Sequence, residues 1–502
     1  PRAEEQMDAY AAALRRDIAQ RAEAAGAYTV DTVYFGGGTP SYLGDQRLAA
    51  ILETVFAHYH VSADAEITTE ANPDSAREEQ PLRHLREAGF NRISLGMQSA
   101  CDEELRRIGR VHTHEETIAA VRAARAAGFD NVSLDLIYGL PGQTSTRWEE
   151  NLRAAIALAP EHLSCYGLKV EEGTPLYEKR SAMHLPDDET QAEEYLTTVD
   201  ALARAGYRQY EISNFARPGC ESRHNLRYWQ LREYAGFGPG AHSDMGGVRF
   251  AYARDIDAYI AGEMRLSERE EIDPMDRDME TIMLSLRMSR GLDLADYGRR
   301  FRQKTQPLEA LFREYEAHGL AQPTESGWRL TPRGFLVSNS IIAALQEAGS
   351  KLSRDMLKSA YRAFARQCYL IIELMRQFYD EQRVFRIVGA GGETEFLPFS
   401  AQALRPQPRQ AVGGVELGSR EPVFDIVVSA AKKSTFSRLS QNETAKECYR
   451  LGFFDPANAD AALAALEMMD FEGVEKVRAR VRQNGTLAQQ LVQLQGQMAR
   501  LS

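Results

Sequence analysis

Apolar residues along the first two hundred positions follow two alternating spacings. Short runs rich in Val, Ile, Tyr and Phe have the length and composition of buried strands, at residues 30–37, 65–73, 91–99, 131–141 and 162–170. Between them the apolar residues recur with helical spacing, at residues 45–60, 76–88, 114–127 and 146–158. Strands separated by helices in this way predict repeated βα units and a parallel sheet, and therefore an α/β fold.

The pattern changes further along the chain. Residues 185–205 predict a helix and residues 207–216 a strand, and residues 273–345 predict three helices and a Gly/Ser-turned hairpin, typical of a small winged-helix-like domain. After a long helical pattern over 352–383, a β-hairpin turned at Gly389, Gly391 and Gly392, a strand over 423–430 and a Gln-rich amphipathic helix predict an α+β C-terminal segment.

Charge and cysteine content narrow the class of protein. The net charge of -12 argues against a general nucleic-acid binder, and favours a lid or packing role for the winged-helix-like unit over DNA reading. The charge is uneven, because residues 341–502 hold 21 Lys/Arg against 18 Asp/Glu, which indicates two unlike pieces. Five dispersed cysteines (101, 165, 220, 368 and 448), without a membrane span or signal peptide in the sequence, predict a cytoplasmic location and no metal knuckle.

Polar and glycine residues collect where the predicted strands end, which is where parallel sheets place their ligand sites. The run Gly36-Gly37-Gly38-Thr39-Pro40 offers bare backbone to a ligand, although a tight turn explains it equally well. Each of the other strand-end residues is by itself an ordinary polar group. Their coincidence favours a ring around one ligand, because carboxylates suit ribose hydroxyls or an ammonium group and Arg suits a carboxylate. These residues are Glu70, Gln98, Arg110 and Asp135.

His224 is the second candidate. It lies in the sequence RHNLRYW among groups that donate hydrogen bonds and stack, and imidazole is a common axial ligand of heme iron. The alternative is a structural or surface histidine, and His242 in GFGPGAHS is interpreted as a turn histidine.

Eight segments in order resemble one family: YFGGGTPS, ITTEANP, ISLGMQS, LRRIGRVHT, LDLIYGLPGQT, EEGTPLY, RHNLRYW and GFGPGAHS. They are similar to the radical SAM family of HemW-type heme chaperones and oxygen-independent coproporphyrinogen III oxidase-like proteins. The resemblance implies a radical SAM partial barrel over residues 1–215 and a linker with a HemN-type C-terminal domain over 216–342. It also implies heme bound through His224, a heme-accepting partner protein, and S-adenosylmethionine bound by Gly37, Gly38, Thr39, Glu70, Gln98, Arg110 and Asp135.

The family opens with a strand that carries Cys-x3-Cys-x2-Cys, whose thiolates hold a [4Fe–4S] cluster. This chain starts at Pro1 after the point where that strand would lie, and none of its cysteines can substitute. We therefore expect that the polypeptide binds no cluster, has no catalytic residue or metal ligand of its own, and cleaves no S-adenosylmethionine. Truncation explains the absence better than evolved loss, because the other family motifs are intact.

Residues 343–502 resemble a different family. The segments GSKLSRDMLKSAYRAFARQCYLIIELMRQFYDEQRVFRI, PVFDIVVSAAKKSTFSRLSQNE and LGFFDPANADAALAALEMMDF are similar to the C-terminal part of portal proteins of tailed bacteriophages. The resemblance implies a structural, ring-forming part and suggests a chimeric reading frame. A heme chaperone is the leading function. Coproporphyrinogen III oxidase activity in porphyrin biosynthesis and a phage portal structural fragment are the alternatives.

Overall fold

A computed structural model of the chain describes residues 4–171, 174–179, 183–302, 304–378, 383–388, 394–399, 404–405, 407–408, 419–420, 463 and 481. The chain forms two compact units, Pro1–Ser350 and Lys351–Ser502. No helix among these residues is both long and apolar enough to cross a membrane.

The first unit is built on a curled seven-stranded half-barrel sheet in the order β1-β2-β3-β4-β5-β7-β6. The five parallel strands are β1 Thr29–Phe35, β2 His60–Ala71, β3 Arg92–Gln98, β4 Asn131–Tyr138 and β5 His162–Gly167. Their positions confirm the predicted parallel sheet. Residues 207–216 form two short strands instead of one, β6 Arg208–Gln209 and β7 Asn214–Ala216, because the Tyr210 amide donates back to the Asn214 carbonyl at 3.1 Å and closes a hairpin.

Helices precede and follow the strands along the chain, and most of them bury one side in the core against the sheet. They are α1 Glu4–Arg21, α2 Asp45–His58, α3 Glu79–Ala88, α4 Asp102–Arg107, α5 His114–Ala126, α6 Ser145–Ala157, α7 Pro175–Lys179 and α8 Asp188–Arg204. A capping box between Thr113 and Glu116 starts α5. The core between helices and sheet contains fully buried Phe90, Leu134 and Trp148.

A small antiparallel sheet follows the half-barrel, and the sequence pattern did not predict it. Helix α9 Arg223–Trp229 precedes β8 His242–Met245 and β9 Val248–Tyr252, and helix α10 Ile256–Ile260 precedes β10 Leu266–Glu271. The strands are short, and β10 is mostly exposed and polar, so they lack the continuous apolar runs that identified the main sheet.

The predicted winged-helix-like elements are confirmed. Three helices, α11 Pro274–Ser285, α12 Leu294–Phe301 and α13 Gln306–Ala317, surround a three-stranded sheet of β11 Leu292–Asp293, β12 Ala321–Pro323 and β13 Gly327–Leu330. Phe312 stacks on Trp328 in their core, with ring centroids 5.6 Å apart. Helices α14 Pro332–Leu336 and α15 Ser338–Phe378 follow.

In the second unit, β14 Arg383–Val388 pairs antiparallel with β15 Thr394–Phe399, which confirms the predicted hairpin. A second short pair joins β16 Gln407–Pro408 to β17 Ser419–Arg420. The predicted hairpin glycines, the strand over 423–430 and the Gln-rich terminal helix lie outside the described residues.

Candidate functional site

The glycine run after β1 packs its backbone against Glu70. A methyl group at Gly36 would lie 2.8 Å from Glu70 Oε1, and the Gly37 amide donates a hydrogen bond to the same carboxylate. Gly37 has φ +84°, which glycine adopts without strain. A methyl group at Gly38 would meet no atom within 4 Å, so open space borders the backbone here. The run therefore forms a cradle that leaves room for a ligand.

Two half-buried carboxylates lie in the sheet, Glu70 near the end of β2 and Asp135 in the middle of β4, where the sequence pattern predicted a strand end. The Tyr34 hydroxyl donates to Glu70 Oε1 at 2.5 Å, and the Ser94 hydroxyl donates to the two Asp135 oxygens at 3.2 and 3.1 Å. Burial raises the pKa of both carboxyls above the ordinary range, whereas the positive charge of Arg92 opposes both shifts. This part of the sheet therefore holds two hydrogen-bond acceptors, and the buried guanidinium of Arg92 stabilises their charged forms.

Gln98 occupies a strained turn at the end of β3. Its φ of 60° is left-handed, and the Ser99 amide donates to the Met97 carbonyl across it at 2.7 Å. Such a conformation costs a non-glycine residue about 1–3 kcal/mol and is retained only where the surroundings enforce it. Strain of this kind is concentrated at functional sites, which supports the predicted ligand role of Gln98.

A buried network around Glu104 enforces this turn. Glu104 Oε2 accepts hydrogen bonds from Ser99 Oγ at 2.6 Å, Gln143 Nε2 at 3.0 Å and Asn151 Nδ2 at 2.9 Å. Asn151 Oδ1 also accepts from the Ala100 amide at 2.8 Å. Glu104 is 3% exposed, so no water replaces a missing partner. The sequence pattern did not identify Glu104, because its partners are brought together only in the folded chain.

The predicted strand-end residues thus share one edge of the sheet. Gly37 contacts Glu70 directly. Burial raises the pKa of Asp135, and Arg110 lies close enough for its charge to oppose that rise. Asn72 connects the remaining two positions. Its side-chain amide donates to Thr39 Oγ1 at 3.4 Å. A methyl group placed on Gly96 would lie 3.7 Å from Asn72 Oδ1 and 2.8 Å from Gln98 Nε2, so both side chains border Gly96.

His224 lies at the start of α9, beside the inner face of β1 and β2, and Tyr34 contacts both His224 and Glu70 at that edge. Both oxygens of Glu66 accept backbone amides, from Arg223 and His224, each at 3.0 Å. The Ser222 hydroxyl also accepts the Asn225 amide. A carboxylate at a helix N-terminus is stabilising, so Glu66 fixes the position of α9 against the half-barrel. Sequence reasoning missed Glu66, although its period-two spacing with Thr68 and Glu70 in a buried strand was a usable signal.

Aromatic and hydroxyl groups enclose the His224 imidazole. The ring stacks on Tyr34 with centroids 4.9 Å apart and meets Tyr228 edge-on at 5.0 Å. Nδ1 lies 2.9 Å from Thr32 Oγ1, and Nε2 lies 2.8 Å from the Tyr228 hydroxyl. Burial, together with the charge of Arg227, lowers the pKa of His224 to about 4. The imidazole is therefore neutral near pH 7, the form that ligates metals.

A groove of about 1040 Å³ adjoins His224. It runs beside β1, whose outer edge has no strand partner within the described residues, and it is walled by α1, α9 and residues 233–245. Its aromatic lining includes Tyr34, Tyr228, Tyr234 and Phe237, and His242 lines it as well. The predicted turn position of His242 is wrong, because the residue begins β8 directly after the glycine-rich turn, and from there it lines the groove. The volume reaches the upper end of the usual range for ligand pockets.

The thiols within the described part of the chain do not form a cluster site. Cys101, Cys165, Cys220 and Cys368 are free cysteines, and these residues contain no group of three His, Cys, Asp or Glu side chains arranged for a metal ion. Cys165 is buried, and burial raises its pKa far above the range of a thiolate ligand. The described residues therefore do not fit a [4Fe–4S] cluster held by three thiolates.

Three family models match the chain. Residues 6–155 match the Radical SAM superfamily, and residues 272–337 match the HemN C-terminal domain. Residues 333–501 match the Phage P22-like portal protein family. The predicted division into a radical SAM part and a portal-like part is thus supported by separate matches, which meet at residues 333–337.

Individual relatives decide the family of the first part. Heme chaperone HemW of Bacillus subtilis (strain 168) is 35% identical over 346 residues, which are 67% of this chain and 91% of that protein. The HemW of Mycobacterium tuberculosis (strain H37Rv) is 37% identical over 344 residues, or 67% and 86% of the two chains. This chain belongs to the HemW family. The resemblance predicted from the eight motifs is confirmed, and for the HemW family the half-barrel described above is the expected fold.

A solved structure supports the fold of the HemW-like part. Coproporphyrinogen III oxidase (HemN) from Escherichia coli, described as a radical SAM enzyme, matches with a TM-score of 0.60 at 24% identity. The match covers 69% of this chain and 84% of that one. At this identity the likeness shows the fold alone, so it does not favour oxidase activity for a member of the HemW family.

Proposed function

We propose that residues 1–342 act as a heme chaperone, which binds heme through His224 and transfers it to a recipient protein. The observation that supports this proposal most directly is the neutral, aromatic-flanked imidazole of His224 beside a large groove. The relatives named as heme chaperones point to the same ligand. The predicted cytoplasmic location is part of this proposal.

His224 Nε2 is the atom proposed to reach the heme iron. Its present neighbour is the hydroxyl of Tyr228, whose side chain is 42% exposed. The Thr32 hydroxyl holds Nδ1 and orients the ring, and such a hydrogen bond to the second nitrogen is the usual companion of imidazole ligation. Tyr34 and Tyr228 supply aromatic surfaces for a flat macrocycle. Rotation of Tyr228 would thus exchange a hydroxyl for iron without moving α9.

We further propose that the strand-end residues hold S-adenosylmethionine. The open backbone at Gly37 and Gly38, with Thr39 beside them, suits the amino-acid end of the ligand, and Arg110 suits its carboxylate. Glu70 and Asp135 suit an ammonium group or ribose hydroxyls, and the strained Gln98 offers an amide. When bound, S-adenosylmethionine carries a sulfonium centre and a carboxylate. Because the described cysteines do not form a cluster site, we propose binding without cleavage for this chain.

Substitution of His224 tests the heme proposal. We expect the purified full chain to give a Soret band on titration with hemin, and His224→Ala to weaken or remove that band because it removes the iron ligand. The matched control is His318→Ala, since His318 is exposed at the end of α13 and lacks aromatic neighbours in the described contacts. Absorbance titration gives both affinities.

Equal hemin spectra and affinities for wild type, His224→Ala and His318→Ala would contradict the heme proposal. Circular dichroism of each variant checks that the fold is retained. A second variant, Tyr228→Phe, removes the hydroxyl that occupies Nε2, and we expect it to bind hemin at least as tightly as wild type.

Iron content tests the proposed absence of a cluster. After anaerobic reconstitution with iron and sulfide, we expect far less than one iron per chain to survive gel filtration. A bound [4Fe–4S] cluster would give about four irons per chain and a broad visible absorption band that dithionite bleaches. Finding that stoichiometry would overturn the proposal. The control is the same sample treated with a chelator before filtration, which removes loosely held iron.

For residues 343–502 we propose no activity. The match to the Phage P22-like portal protein family supports a structural segment. Its predicted self-association in a ring stays a prediction.

A further inference from the structure

Three arginines gather beside His224. Arg223 and Arg227 lie on α9, one residue before and three residues after the histidine, and Arg232 follows the helix. Together with Asp31 and Gln230 they line a cavity of about 390 Å³. Asp31 and Arg227 also line the aromatic groove, so the two cavities adjoin at these residues.

Three guanidinium groups and one carboxylate, that of Asp31, line this pocket. Arg227 forms an ion pair with Asp31, and Arg223 lies 3.5 Å from the exposed carboxylate of Asp64. Arg232 has no carboxylate within 4.0 Å among the residues that the structure describes. Burial lowers the pKa of Arg290, and the charge of Arg232 lowers it further, so a fourth guanidinium lies nearby. Like charges in proximity are unfavourable unless an anion lies between them.

The backbone after α9 is strained in a way that brings Arg232 to the pocket. The Arg232 amide donates to the Arg227 carbonyl at 2.9 Å and the Leu231 amide to the Tyr228 carbonyl at 3.2 Å, which together form a Schellman motif. The left-handed position of this motif is usually glycine, but here it is Leu231, with φ 53°. A leucine in that conformation is an outlier that points to a functional constraint.

We propose that Arg223, Arg227 and Arg232 bind the carboxylate groups of an anionic tetrapyrrole, the propionates of the heme that His224 ligates. The inference rests on the proposed heme function and adds a preference for tetrapyrroles whose carboxylates are free. His224, Arg227 and Tyr228 lie on one face of α9, at relative positions 0, 3 and 4, so one helix presents an imidazole, a guanidinium and an aromatic ring. Guanidinium groups bind carboxylates through paired, charge-assisted hydrogen bonds. A macrocycle bound to His224 would thereby extend its acidic side chains toward the pocket.

Comparison of hemin with hemin dimethyl ester tests this pocket, because the ester keeps the iron and the ring but lacks the two negative charges. We expect the wild-type full chain to bind hemin about tenfold more tightly than the ester. Arg232→Gln should weaken hemin binding about tenfold and leave ester binding unchanged, and Arg227→Gln should act in the same direction. The matched control is Arg269→Gln, on the exposed strand β10, where Arg269 lies 3.2 Å from Glu271.

Two results would overturn the carboxylate site while the heme proposal stands: equal wild-type affinities for hemin and ester, or an Arg232→Gln variant that weakens both equally. In either case the dependence of the Soret band on His224 would persist. If His224→Ala has no effect on the hemin spectrum, or wild type binds neither compound, the heme proposal and the carboxylate site both fail. Increasing salt should reduce the hemin affinity of wild type more than that of Arg232→Gln.

Discussion

Glu104→Leu is expected to lower the free energy of unfolding of the first unit by about 3–5 kcal/mol. Leucine fills a similar volume but accepts no hydrogen bond. Three buried donors, on Ser99, Gln143 and Asn151, would lose their shared acceptor, and the interior offers no water in exchange. The strained turn at Gln98 would also lose the network that enforces it. The substitution should therefore impair both stability and the proposed S-adenosylmethionine site.

Two variants provide the controls. Glu103→Leu changes the neighbouring residue, whose side chain is 63% exposed and pairs with Arg107 at 2.6 Å, and should change stability by less than about 1 kcal/mol. Glu104→Gln keeps one acceptor oxygen and should fall between the two. Urea unfolding followed by circular dichroism measures all three. Equal effects of Glu103→Leu and Glu104→Leu would contradict the assigned role of the buried network.

Glu211→Gln is expected to remove a pH dependence of about 3 kcal/mol in the stability of the first unit. Glu211 is fully buried in the turn between β6 and β7. Its Oε1 accepts the Ser213 amide at 3.3 Å, and hydrogen bonds from Asn214 oppose the rise in its pKa without offsetting the effect of burial. Burial raises the pKa of this carboxyl to about 7 from an ordinary value of 4.5. The folded chain therefore retains a proton that the unfolded chain releases.

This difference in bound protons fixes the direction in which stability changes with pH. Below about pH 4.5 both states are protonated and the contribution of Glu211 to stability is complete, whereas it is lost as the pH rises through about 7. Glutamine mimics the protonated acid at every pH, so Glu211→Gln should gain stability over wild type as the pH increases from 5 toward 8. The control is Glu189→Gln, an exposed residue in the first turn of α8. Parallel pH profiles for wild type and Glu211→Gln, from urea unfolding, would contradict the expectation.

The main sheet was predictable because apolar runs of strand length alternate with helical segments, and because β3 is buried along its whole length. The same rule failed where strands are short and half exposed, as in β8, β9 and β10, and where the run 207–216 folds back on itself at Tyr210. The strand-end residues were predictable as a group, because parallel strands end at a common edge. Glu104 was not, because its carboxylate has a role only after Gln143 and Asn151 reach it from distant segments.

The sequence by itself determined the family, the parallel α/β core, the candidate residues from Gly37 to Asp135, and His224 as a candidate heme ligand. These depend on local spacing and on motifs, which the linear chain contains. Only the tertiary structure decided what surrounds those residues. Thr32 and His224 are 192 positions apart and Glu66 and Arg223 are 157 apart, yet they form hydrogen bonds. Burial, pKa and the clustering of arginines beside α9 depend on such distant contacts, because they arise when the folded chain excludes water.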